Sequence, residues 1–259
     1  MPELPEVETV VRSLAPHLPG RRIVAASFSS RFVTPGNRKT LARRLADRTI
    51  QSIQRRGKFI VMQLDEGTLT VHLGMTGKLL LDAAPTKHTY GIFTLDNGSL
   101  IYTDSRQFGR ILWNHDLSRL GPEPLAISLA EFQARLKPRK TGIKALLLNQ
   151  TFLAGMGNIY VDETLFAARV HPLAQASRLS AARVAAIHQH MRAILGAAIK
   201  LGGSSISDYV DARGERGWFQ LEHQAYGREG QPCAVCGAPI RKITVVQRGT
   251  HYCPRCQRR

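Results

Sequence analysis

Val7, Val10, Val11, Leu14 and Leu18 recur at the three-and-four spacing of an amphipathic helix, which predicts a helix over residues 6–18. Pro5 fits its first turn, where the missing amide proton costs little. The period then shortens. Runs rich in β-branched residues at 22–28, 49–54, 58–64 and 68–73 predict strands, and 90–95 with 99–103 predict a hairpin about Asp96-Asn97-Gly98. The first part of the chain is therefore expected to be a β-rich unit with one leading helix.

The Pro/Gly cluster Leu120-Gly121-Pro122-Glu123-Pro124 breaks this pattern, and helical spacing follows. Ser128 and Glu131 form a capping-box signature ahead of a helix at 129–137. Further helices are predicted at 142–149, 158–169 and 180–201. The last places Val184, Ile187, Met191, Ile194, Ala198 and Leu201 on one face and stops at Gly202-Gly203. Residues 203–230, rich in Gly and polar groups, predict a long loop, and loops of that length inside a compact domain usually carry function. No internal repeat or low-complexity tract is found.

Composition adds a partner to this outline. In 259 residues, 43% hydrophobic and 21% charged, Lys and Arg number 36 against 19 Asp and Glu, a net charge of +17. Such an excess repels itself in a compact fold and points to a polyanion. Nucleic acid comes first, an anionic membrane surface second, and a merely solvated basic face third. No run reaches the 18 or more apolar residues of a spanning helix, and the acidic start MPELPEVETVV lacks the regions of a signal peptide. A soluble intracellular protein with no membrane partner is expected.

All four cysteines lie near the end, as Cys233-x2-Cys236 and Cys253-x2-Cys256 separated by 16 residues. Each pair supplies two thiolates on a tight turn, and the segment between them can form a hairpin that brings the pairs together. Four thiolates suit one tetrahedral structural zinc with no open position; two disulfides or a redox role are the alternatives. The same hairpin carries Arg241, Lys242 and Arg248, and no Asp or Glu follows Glu229, a composition suited to phosphates. Arginines that simply face water are the competing reading.

Pro2 follows the initiator methionine, whose removal would expose a secondary amine. An α-amino group with pKa about 7.8 is ~14% neutral at pH 7, against ~0.04% for an ordinary lysine. Such an amine can attack a sugar C1′, expel the base and form an iminium that opens a route to strand cleavage. Glu3 and Glu6 stand beside it in sequence as candidate proton shuttles, although acids at a helix start ordinarily just stabilise its dipole.

The opening Met1-Pro2-Glu3-Leu4-Pro5-Glu6-Val7-Glu8-Thr9 resembles the start of the formamidopyrimidine-DNA glycosylases, also called 8-oxoguanine DNA glycosylases. The resemblance continues in order through Arg55-Arg56-Gly57-Lys58, His72-Leu73-Gly74-Met75, Leu120-Gly121-Pro122-Glu123-Pro124-Leu125, Gly157-Asn158-Ile159-Tyr160, Tyr226-Gly227-Arg228 and the cysteine hairpin. It implies an α+β multidomain fold: an N-terminal β-sandwich with a leading helix, then a helix–two-turn–helix domain ending in a zinc-finger β-hairpin. The boundaries expected are 1–118 for the catalytic sandwich, 119–127 for a linker, 128–222 for the helical domain with a lesion-capping loop, and 223–259 for the zinc finger. It also implies a monomer of bacterial, cytoplasmic, nucleoid-associated type acting on double-stranded DNA with oxidised bases or abasic sites.

Residue by residue, the resemblance makes Pro2 the Schiff-base nucleophile and Glu3 the proton donor in base removal. Lys58 matches the donor in β-elimination, Arg248 the donor in δ-elimination, and Glu6 an acid that supports the site. His88, Arg106, Lys140, Lys144 and Asn158 match phosphate- or strand-contacting positions. Met75, Arg106 and Phe108 resemble residues that fill the void left by a flipped nucleotide. Residues 203–219, with Ser207, Tyr209 and Trp218, match a loop that closes on the damaged base. One stretch departs: Asp104-Ser105-Arg106-Gln107-Phe108-Gly109 has Ser105 and Gln107 where the family commonly has proline and a second arginine, which puts the wedge's stiffness in question. Two rival readings remain, an endonuclease VIII-like enzyme for oxidised pyrimidines and a non-catalytic zinc protein that recognises distorted duplexes.

Overall fold

A computed structural model describes residues 1–258 and divides the chain into two compact units. The first is Met1–Ser118 with Leu201–Gln220, and the second is Arg119–Lys200 with the segment from Leu221 onward. The glycine-rich segment 201–220 thus groups with the N-terminal unit rather than with the helices that precede it in sequence.

In the first unit, helix α1 (Leu4–Leu14) starts two residues before the predicted span and ends earlier, with Leu18 still buried beyond it. Its inward row Val7, Val10 and Leu14 covers an eight-stranded antiparallel sheet. The strands are β1 (Arg22–Phe28), β2 (Arg48–Arg56), β3 (Phe59–Leu64), β4 (Thr68–His72), β5 (Lys78–Leu81), β6 (Thr89–Leu95), β7 (Ser99–Thr103) and β8 (Arg110–Trp113), in the order β5-β7-β6-β1-β2-β3-β4-β8. Only two residue pairs, Arg22↔Thr49 and Ile23↔Arg48, join β1 to β2, so the sheet bends there into two four-stranded layers. They face each other closely: a Cβ on Gly91 of β6 would stand 2.9 Å from the Ile111 Cδ1 of β8. Ile60, Val71, Phe93, Leu100, Tyr102 and Ile111 fill the space between them.

The predicted hairpin is present, with Gly98 at φ +88° in its turn. Three elements escaped the periodic reading. Helix α2 (Arg38–Leu45) buries only Leu41 and Leu45, capped by the Asn37 side chain on Thr40 N at 3.0 Å. Strands β5 and β8, of four residues each, are too short to display alternation. Strand β3 begins at Phe59, because Gly57 at φ +58° and Lys58 form the turn before it.

The second unit contains α3 (Leu129–Leu136), α4 (Ile143–Leu148), α5 (Asn158–Ala167) and α6 (Ala181–Lys200), then the hairpin β9 (Arg241–Val245) and β10 (Arg248–Tyr252). Ser128 caps α3, its Oγ accepting from Glu131 N at 3.1 Å. Both α3 and α5 pack on α6. The inward face of α6 is Val184, Ile187, Met191, Leu195 and Ala198, not the predicted line through Ile194 and Leu201. A four-residue step after Met191 carries the stripe to Leu195; Ile194 is half-buried, and Leu201 lies past the helix end with 38% exposure. No helix among the described residues is long and apolar enough to cross a membrane.

Candidate active site and nucleic-acid interface

Pro2 is buried at the head of α1, ahead of a Met1 that is 45% exposed. While Met1 is attached, the Pro2 nitrogen is an amide whose lone pair is delocalised; its removal leaves a secondary amine. Glu3 is the N-cap of α1 and Glu6 its third residue, and both carboxylates are almost wholly buried, at 3% and 2% exposure. Glu6 Oε2 accepts from Glu3 N at 2.8 Å, the backward half of a capping box. Its other oxygen accepts from Ser204 N at 2.7 Å, and its carbonyl accepts from Tyr209 OH at 3.2 Å. Glu6 therefore ties the backbone beside Pro2 to the loop that begins at Gly203. Burial and the Glu6 charge raise the Tyr209 phenol above its ordinary value, so it stays a donor. The 203–219 loop is anchored from within as well: Ser205 Oγ accepts from Gly217 N at 2.9 Å and donates to Tyr209 O at 2.9 Å. Trp218 remains 60% exposed and Tyr209 is buried.

Lys58 is 7% exposed, in the turn that Gly57 permits between β2 and β3. Arg55 holds that turn on α1: its Nε pairs with Glu8 Oε2 at 2.9 Å and its Nη1 donates to Gly57 O at 3.0 Å. Burial alone would raise Glu8, but hydrogen bonds from Arg12 and Arg55 outweigh it and hold the carboxyl below its usual range. His72 is pushed down to about 4, first by burial and then by the charges of Lys58 and Arg110. It is neutral at physiological pH, and its Nδ1 accepts from Gly74 N at 3.1 Å.

Met75 and Phe108, 37% and 50% exposed, are not core residues. Arg106 stacks on the Phe108 ring with its guanidinium carbon 4.6 Å from the centroid. The two loops that carry them touch through backbone alone: a Cβ on Gly74, which sits at φ +61°, would meet Gly109 N and Phe108 C at 2.5 Å. Fully buried Asp104 organises the rest. It accepts from Thr76 Oγ1 at 2.5 Å, Arg106 N at 3.2 Å and Gly109 N at 2.8 Å. Of the two departures from the family pattern, Ser105 is exposed and Gln107 is held in place. Gln107 takes a left-handed backbone at φ +56° and its Oε1 accepts from Ser30 Oγ at 2.5 Å. His88 is half-buried beside the wedge loop, its carbonyl accepting from Asp104 N at 3.0 Å.

In the second unit Lys140 is exposed just before α4, whereas Lys144 is fully buried. The Lys144 ammonium pairs with Asp162 Oδ1 at 2.6 Å and reaches Gly249 O at 3.5 Å. Asn158 Nδ2 donates to the same carbonyl at 2.8 Å, while Asp162 Oδ2 accepts from His251 N at 2.9 Å. Lys144 and Asn158, expected on phosphates, are thus engaged with the hairpin residue that follows Arg248. The buried Asn158 Oδ1 has no hydrogen-bond partner. Arg248 is exposed as the first residue of β10, immediately after the turn Val246-Gln247.

Three acids that organise these loops were not singled out from the sequence: Asp104, Asp162 and Glu163. Glu163, 4% exposed, accepts from Gln224 N, Ala225 N and Tyr226 N at 2.9, 2.9 and 2.7 Å; burial raises its carboxyl against their pull. The available signal was an Asp-Glu pair inside the largely apolar run from Ile159 to Phe166, a place acids occupy only when paired.

The four cysteine sulfurs lie within 4.8 Å of one another, with Cys233–Cys256 at 4.0 Å and Cys236–Cys253 at 3.5 Å. Zinc–thiolate bonds of about 2.3 Å place tetrahedral sulfurs roughly 3.8 Å apart, so the cluster fits one zinc ion. With all four donors from protein the site is closed, and its work is to fix the small core of Phe166, Ala225 and Ile240 under the hairpin.

A buried Pro2 beside two buried acids in one unit, and a basic hairpin carrying a four-cysteine cluster in the other, suit a nucleic-acid-processing enzyme rather than a simple binding module. The family models agree in detail: formamidopyrimidine-DNA glycosylase N-terminal domain over residues 1–111, the H2TH domain of the same enzymes over 120–210, and a zinc finger found in FPG and IleRS over 230–259. A formamidopyrimidine-DNA glycosylase of Solibacter usitatus is 53% identical over 265 residues, covering all of both chains. One from Geobacillus kaustophilus is 43% identical over 274 residues, again covering both in full. A variant Lactococcus lactis FPG solved with Fapy-dG containing DNA superposes with a TM-score of 0.92 at 39% identity, over 100% of each chain. The wild-type L. lactis protein with DNA containing an oxidised pyrimidine gives 0.90 at 38% identity, also over 100% of each. The chain belongs to the formamidopyrimidine-DNA glycosylase family.

Proposed function

We propose that this protein is a bifunctional base-excision enzyme that removes 8-oxoguanine and formamidopyrimidines from duplex DNA and then cuts the strand at the resulting site. The observation that carries the reading is the head of α1: a proline one peptide bond from the chain end, buried beside two buried carboxylates, one of them fastened to the 203–219 loop.

With Met1 removed, the Pro2 lone pair bonds to C1′ while the glycosidic bond breaks, and protonated Glu3 supplies the proton the departing base needs. Opening of the sugar ring converts the adduct to an iminium. This acidifies the C2′ proton, whose loss expels the 3′ phosphate by β-elimination; loss of a further sugar proton then expels the 5′ phosphate by δ-elimination. Lys58 serves as donor in the first elimination and Arg248 in the second. Glu6, with both oxygens already accepting from backbone amides, is a positioning residue. Met75, Arg106 and Phe108 fill the void of the extruded nucleotide, an extrusion that costs a few kcal/mol. His88 and Lys140 hold phosphates, and Lys144 and Asn158 act by fixing the Gly249 carbonyl beside Arg248. Cys233, Cys236, Cys253 and Cys256 would hold one zinc, which crosslinks the hairpin and takes no part in the reaction. The enzyme works as a monomer.

The L. lactis complex with an oxidised pyrimidine favours one second reading, a substrate range that extends beyond purines. Excision is measured on otherwise identical duplexes carrying 8-oxoguanine, a formamidopyrimidine or thymine glycol. Faster release of both purine lesions is expected; preference for thymine glycol contradicts the purine assignment.

A further inference from the structure

We propose that the second unit carries a phosphate-binding site separate from Arg248 and the hairpin turn, in a cavity of about 460 Å³ beside the cysteine cluster. Arg169, Arg183, Arg255 and Arg258 line it together with Ala168, Val235, Cys236 and Cys256, and no acidic side chain does. None of the four guanidinium groups has a carboxylate partner among the described residues. Arg255 Nη1 donates to Cys236 O and Arg258 Nε to Arg255 O, at 3.5 and 3.4 Å, which leaves the remaining N–H groups of both for a ligand.

The zinc cluster alone does not account for so much positive charge. Zinc with four thiolates carries a formal −2, and four arginines carry +4, so the rim keeps +2.

Two of the arginines also stand where the backbone disfavours them. Arg169 ends α5 at φ +54°, its N donating to Phe166 O and Val170 N to Leu165 O, both at 3.0 Å. That is the Schellman position usually given to glycine, and a side chain is strained there. Arg183 lies in the first turn of the 20-residue helix α6, where the helix dipole repels a cation. Like charges only half offset by the zinc cluster and without a carboxylate among the described residues, at positions that cost energy, call for an anion, and planar guanidinium forks match phosphate oxygens. That phosphate belongs either to a nucleic-acid backbone or to a free phosphorylated molecule.

The test uses zinc-loaded full-length protein, an Arg169→Gly/Arg183→Gln variant that spares the cysteines, and a charge-matched Lys39→Gln/Arg43→Gln control on the exposed face of α2. Calorimetric titration with pyrophosphate should show at least about tenfold weaker binding in the first variant and little change in the control. In a second arm, each protein binds undamaged duplex across a range of salt. A slope of log K against log salt that is shallower by about 1 to 2 in the first variant means DNA phosphates occupy the cavity. An unchanged slope beside lost pyrophosphate binding means a free phosphorylated ligand does. Equal pyrophosphate affinity in all three proteins overturns the site.

Discussion

Gly203 is the residue on which the N-terminal site is most narrowly balanced. It sits at φ +80°, and a Cβ there would stand 2.7 Å from Glu6 Oε1, inside the hydrogen bond from Ser204. Gly203→Ala should cost about 1–3 kcal/mol in urea denaturation and slow base release, because the added methyl displaces the carboxylate that holds the loop. An alanine variant as stable and active as the parent would mean that Glu6 does not hold that loop. His72 offers a test through pH. Its folded-state pKa of about 4 lies below the ordinary 6.5, so it favours the native state fully above pH 6.5 and loses that contribution as pH falls toward 4. His72→Phe should flatten the stability profile across that window, a difference on the order of 2 kcal/mol between its ends. At this scale the sequence was legible wherever a residue type is chemically unusual in its place. Pro2 beside a chain end and the paired cysteines are such cases. Burial was not legible. Lys144, matched by resemblance to a phosphate- or strand-contacting position, is a buried partner of Asp162, because a lysine's environment depends on a neighbour 18 positions away.

Elements were legible where their hydrophobic period ran long enough. The leading helix, the strands 22–28 and 68–73, the hairpin at Asp96-Asn97-Gly98 and the Ser128-capped helix all lie within a few residues of the spans expected from pattern alone. Helix α2 and strands β5 and β8 were not, since two buried leucines or four residues of strand carry too little period. The cysteine hairpin was expected, but its turn was not: Val246 at φ +43° and Gln247 at φ +60° both take left-handed backbone. Non-glycine residues are disfavoured there, a β-branched valine most of all. Val246→Asn with Gln247→Gly, the sequence that such two-residue turns favour, should stabilise the hairpin by about 1–2 kcal/mol. Slower zinc loss to a chelator would report it. A faster loss would show that the turn gains something from its present residues.

The whole molecule combines a net charge of +17 with a proline in second position and a hairpin bearing four clustered cysteines, and each alone has a commoner explanation. Basic faces are often merely solvated, and most terminal prolines are inert. What distinguished them in the sequence was their order along one chain, which the family match over residues 1–111, 120–210 and 230–259 repeats. What no sequence pattern gave was the grouping of 201–220 with the N-terminal unit, to which the segment is tied by hydrogen bonds to Glu6, Ser13 and Leu81 and by Tyr209 and Ala212 in its core. The proposed chemistry rests on a covalent bond between the Pro2 nitrogen and deoxyribose. Borohydride added during turnover of 8-oxoguanine duplex should reduce the iminium and leave protein fixed to DNA, and digestion should recover the sugar remnant on an N-terminal peptide beginning at Pro2. Recovery of the remnant on a lysine, or an undiminished adduct in protein that retains Met1, would contradict the account.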